Sequence, residues 1–80
     1  MSRLELKGML QDLKQKRLTL AISAGAKMKS IQHMLATSSI TPISEIDCES
    51  IAFMANELLK VKEQYMQILG DIKKIEQELE

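Results

Sequence analysis

Aromatic rings are almost absent from this chain: no tryptophan, one phenylalanine and one tyrosine among 80 residues. Without ring faces there is no platform for stacking nucleobases and little bulk for a compact globular core. A single cysteine, Cys48, cannot staple a secreted fold or complete a zinc finger by itself. One proline and three glycines leave room for few connections. No uninterrupted apolar run approaches the ~20 residues of a transmembrane helix. The opening Met1-Ser2-Arg3-Leu4-Glu5-Leu6-Lys7 lacks the apolar segment of a signal peptide. No membrane partner and a cytoplasmic location are therefore expected. Neither sign of charge is in excess, because eleven Lys and Arg balance eleven Asp and Glu. A bulk nucleic-acid binder carries a positive surplus, so nucleic acid is not the expected partner. Glycine-rich phosphate loops, nucleophile elbows and H-E-x-x-H are all missing.

What the chain does have is helical periodicity. In its second half Ile51, Met54, Leu58, Val61, Tyr65, Ile68, Ile72, Ile75 and Leu79 succeed one another at alternating spacings of 3 and 4. That is an apolar stripe along one helix, of the kind that forms a coiled-coil seam. The first half repeats it as Leu6, Leu10, Leu13, Arg17, Leu20, Ala24, Lys27, Ile31 and Met34, with two cations among the nine. Long basic stems can cover apolar surface while their heads reach water, so the helix survives them.

The lone proline, Pro42, sits in the small, polar, β-branched stretch Thr37–Ser44 and marks the break. Thr41 and Ser44 are candidate N-caps for the second helix, and Glu45, Asp47 and Glu49 place acid in its first turns. The expected fold is all-α. One helical-hairpin domain spans 1–80, with helix 1 over about 3–37, a turn over about 38–42 and helix 2 over about 43–79. Charge agrees with an antiparallel two-helix coiled-coil hairpin. Residues 1–40 carry seven bases and two acids, a net +5, and residues 41–80 carry four bases and nine acids, a net −5. Numbers of facing residues should sum to about 82 for a turn near residue 41. Arg3 and Lys7 then approach Glu76, Glu78 and Glu80, and Arg17 comes near Glu63.

Two helices bury one stripe each, yet this chain has apolar residues to spare. Leu18, Ala21, Ile22 and Gly25 lie off the first stripe, and Ala52, Ala55, Leu59, Met66 and Leu69 lie off the second. Monomers avoid contiguous apolar patches of this kind. The expected outcome is self-association of two hairpins into a four-helix bundle through Leu18, Ala21, Ile22, Gly25, Ala55, Leu59 and Met66. A larger protein partner on the same surface is the other occupant to weigh.

His33 and Cys48 approach the turn with Glu45 and Glu49 nearby, a set that could hold zinc or activate a thiol. Paired metal spacing is missing, and a cysteine is commonly a small apolar residue, so no metal, cofactor or catalytic residue is expected. Met28, Met34, Met54 and Met66 read as core fillers. The expected function is a non-enzymatic protein–protein interaction or assembly module. The alternative is a small nucleic-acid-binding regulator in which Arg3, Lys7, Lys14 and Arg17 touch phosphates.

Overall fold

Two long helices lie side by side in antiparallel fashion in the computed structural model, which describes residues 2–80. Helix α1 runs Arg3–Ser38, a single 3-10 turn occupies Ile43–Glu45, and helix α2 runs Cys48–Leu79. The chain is therefore an all-helical hairpin, as its periodicity requires. It is a rod of 60 × 14 × 14 Å with a radius of gyration of 18.2 Å. A compact domain of this length would have a radius of about 12 Å.

Both 3-4 stripes face inward, and every one of their residues is buried or half-buried. Arg17 and Lys27 share this inward placement with their apolar neighbours. The tightest packing lies toward the open end, where Leu6, Ile72 and Ile75 are buried; Val61 is buried nearer the middle. The turn-proximal stretch of the seam, with Ala24, Ile31, Met34, Ile51 and Met54, is only half-covered. At the open end the Arg3 guanidinium donates to the Leu79 carbonyl at 3.0 Å, which sets the register of the two termini. Their numbers sum to 82, the register expected from the sequence.

Local hydrogen bonding explains where each helix starts and stops. Ser2 is the N-cap of α1: its hydroxyl accepts from the Glu5 amide at 3.1 Å and donates to the Glu5 carboxylate at 3.1 Å. At the other end α1 runs into a cluster of hydroxyls that donate back to its last carbonyls. Thr37 bonds the His33 and Met34 oxygens, Ser38 the Met34 oxygen, Ser39 the Ala36 oxygen, and Thr41 the Thr37 oxygen. The Ala36, Thr37 and Ser38 carbonyls left over at the helix end are thus satisfied, together with the Ser39, Ile40 and Thr41 amides, without a glycine in the left-handed region. No described residue has a positive φ.

The connection is longer than the 38–42 turn expected from the sequence, and α2 begins at Cys48 rather than near 43. Neither Thr41 nor Ser44 caps it. Asp47 is the N-cap, its carboxylate accepting from the Ser50 amide at 3.0 Å and from the Ser50 hydroxyl at 2.6 Å. The cost of a later start is offset by this two-bond cap and by the 3-10 turn directly after Pro42.

Candidate interaction surface

The two helices leave two long grooves, one on each side of the seam, and their chemistry differs. One groove has polar side chains along its rim over an apolar floor that includes Leu20 and Ile68. Lys16 and Thr19 of α1 line it with Gln64 and Gln67 of α2, and farther toward the open end Asp12 lies across from Asp71 and Glu78. On the opposite side, at mid-hairpin, Ala21 and Met28 line a cleft of about 320 Å³ with Leu58, Lys62 and Tyr65. Small side chains at Ala21 and Ala24 leave this cleft unfilled between the helices.

Helical spacing places the expected self-association residues around that cleft. Leu18 and Gly25 are three residues before and four after Ala21, and Leu59 and Met66 stand in the same relation to Lys62. Ala55 lies two turns from Lys62. The structure leaves this surface uncovered: Leu18, Ile22, Leu59 and Met66 are 49–66% exposed. Ala21 and Ala55 are exposed and Gly25 is half-buried. Six of the seven therefore fall on one side of the rod or its edge, whereas Ile22, two residues past the seam Leu20, points outward from α1 as Glu63 does from α2; none belongs to the intrachain core.

Sequence reading missed members of the same surface. Met28 and Leu35 succeed Ala21 at steps of seven and are exposed, which corrects the reading of Met28 as a core filler; Met66 is exposed as well. Met34 and Met54 do sit in the seam. The heptad step from Ala21 was the signal available. At the turn Ile40 and Ile43 are 88% and 90% exposed, and Phe53 is exposed on the polar side.

The basic residues do not pair as the half-chain charges suggested. Among the described residues the single ion pair is Lys60–Glu57, at 3.3 Å within α2. None of Arg3, Lys7, Lys14 and Arg17 reaches a carboxylate. Azimuth explains this. Arg17 lies in the seam, whereas Glu63, two residues past Val61, points about 200° away from it. Arg3 is engaged by the Leu79 carbonyl. Lys7 and Lys14 are exposed and line a shallow groove with Leu10 and Gln11, on the same side as the mid-hairpin cleft. The four cations therefore do not form one outward stripe.

His33 and Cys48 are exposed and do not converge. His33 lies two heptads past Thr19, on the polar side, and Cys48 precedes Lys62 by two heptads, on the other. Among the described residues no three His, Cys, Asp or Glu side chains gather to hold a metal ion. The grooves are open furrows along a rod, without the enclosure that catalytic pockets use. No helix among the described residues is long and apolar enough to cross a membrane.

One titratable group is clearly perturbed. The Ser50 hydroxyl, and then the Ser50 amide, lower the pKa of Asp47 by bonding its charged form. A depressed folded pKa means that the cap contributes stability above the unfolded aspartate pKa and loses it as pH falls through the folded value. Asp47→Ala should lower the melting temperature by a constant amount near neutral pH, and the gap to the parent should close below pH ~4. Asp47→Asn, which keeps an N-cap oxygen, should melt close to the parent at pH 7. A gap that persists unchanged at pH 2 would show that the carboxylate charge is irrelevant to the cap.

No family model, curated protein or solved structure matches the chain. Its functional reading rests on the geometry of this surface.

Proposed function

We propose that the protein is a non-enzymatic interaction module that works as a homodimer, two hairpins pairing into a four-helix bundle. The observation that carries this reading is the uncovered apolar surface around the Ala21–Tyr65 cleft, bordered by Leu18, Gly25, Leu59 and Met66. A rod 14 Å thick has no interior in which to bury these side chains. A second copy offers the same surface in return, which is the requirement for a two-fold contact. A larger protein partner would compete for this face. Its function in a cell would then be to bridge, space or regulate whatever is attached to the rod. Cytoplasmic residence accords with a lone thiol. Sedimentation equilibrium at micromolar concentration tests the reading: twice the chain mass of 9.1 kDa is expected, and a single-chain mass overturns it.

A second reading has one observation in its favour. Lys7 and Lys14 are exposed and make no ion pair within the hairpin, so two copies could offer four cations to a phosphate backbone. The balanced net charge and the seam position of Arg17 oppose it. Fluorescence titration with a mixed-sequence duplex and a hairpin RNA at two salt concentrations separates the readings. The homodimer reading expects a Kd no tighter than the non-specific range of ~10⁻⁴–10⁻⁶ M. Sub-micromolar binding that falls steeply with salt and disappears in Lys7→Glu with Lys14→Glu would replace the assembly role with nucleic-acid binding.

A further inference from the structure

Two hairpins can meet through this face with their turns at the same end or at opposite ends, and the two arrangements bring different residues together. We infer that the turns lie at the same end, with the two-fold axis parallel to the long axis of the rod, so that α1 of each copy lies against α2 of the other. The inference rests on the homodimer reading and fixes its geometry.

Charge is the first argument. In the same-end arrangement every helix has oppositely charged neighbours, because the basic α1 faces its own acidic α2 and the partner's. In the opposite-end arrangement α1 lies against α1 and α2 against α2, setting +5 beside +5 and −2 beside −2. The difference reaches individual side chains. Residues at equal height within the hairpin have numbers summing to about 83, since Arg3 meets Leu79 and Ala24 shares a cleft with Leu58 and Val61. At that register Lys7 meets the height of Glu76, and a same-end partner supplies Glu76 to the Lys7 that finds no carboxylate in its own chain.

Side-chain volume is the second argument. At the same heights Leu59 falls opposite Gly25, and Met28 falls opposite Ala55, a large residue against a small one in each case, while Leu18 and Met66 meet as two large ones. A Cβ built on Gly25 meets nothing within 4 Å in the hairpin, so the space over it is free to receive a partner's side chain. The opposite-end arrangement, centred on the same patch, sets Gly25 against Gly25 and Leu59 against Leu59. That leaves a hole between one pair of helices and crowds the other, whereas close packing favours complementary volumes.

Cys48 supplies the measurement because it is the only cysteine and is exposed near one end of the rod. A nitroxide label at Cys48, read by double electron–electron resonance, gives the distance between the two copies. Same-end packing places both labels at one height, with a separation of about 20 Å or less across a bundle of helices 10 Å apart. Opposite-end packing about a centre near Leu59 puts them about 35 Å apart at 1.5 Å per residue. Glu78→Cys in a Cys48→Ser background repeats the measurement at the open end. There the same-end value stays below about 30 Å, and the opposite-end value approaches about 57 Å. Short distances at both sites in a species of dimer mass support the inference. Long distances at both sites in a dimer overturn the orientation and leave the dimer standing. A single-chain mass for the unlabelled protein removes the homodimer reading and the orientation with it.

Discussion

Leu59→Lys is expected to convert a species of twice the chain mass into single chains of 9.1 kDa at micromolar concentration. Leu59 is half-exposed in the hairpin, so its replacement removes no intrachain core contact. In the proposed bundle its exposed half is covered, which contributes about 1 kcal/mol, half of what a leucine taken fully from water contributes. Two-fold symmetry doubles that loss, and an unpaired ammonium in the contact adds a desolvation cost. The dissociation constant should therefore rise by roughly 10²–10⁴-fold. Separation should also lower the melting temperature, because an isolated rod with so small a core has little stability of its own. Glu63→Lys makes the comparison sharp: it places the same ammonium on the outward side of α2 and should leave the mass unchanged. Equal behaviour of the two variants would show that the Leu59 surface is not the contact.

The architecture was legible because each helix carries its own stripe. Nine spaced apolar positions in α2 leave one phase for the helix, and even Arg17 and Lys27 obey the stripe of α1. The connection was less legible. Thr41, Ser44 and Asp47 are all competent N-caps by residue type, so local chemistry alone does not choose among them. The choice falls to Asp47 through its second bond from Ser50 and through the length of chain needed to cross between the helices. The expected ion pairs failed for a different reason. Net charge per half reports sign and amount but not azimuth, and Arg17 and Glu63 point in different directions. The apolar surface was visible as residues left over from the stripes. What covers it depends on a second molecule, about which one chain's periodicity is silent.

Arg17 and Lys27 carry the remaining cost in the seam, and replacing both with leucine should stabilise the hairpin while spoiling its specificity. Both are half-buried between apolar neighbours, and neither has an ion-pair partner. Two partly buried leucines in their place contribute about 2 kcal/mol together, a rise of roughly 8–16 °C in melting temperature for a domain of this size. The cations earn their place by what they forbid. If two copies of α1 paired antiparallel through their stripes about residue 22, Arg17 of one would lie against Lys27 of the other. In a parallel pairing each cation would face its own counterpart. Either way two like charges meet inside a seam, an arrangement that polar seam positions use to enforce partner choice. α2 has no basic residue in its stripe, so the α1–α2 pairing escapes the repulsion. Arg17→Leu with Lys27→Leu should therefore melt higher than the parent yet sediment as a mixture of sizes instead of one species, as exchanged α1–α1 pairings become accessible. A variant that melts higher and remains a single dimer would show that the connection and α2 alone determine the pairing.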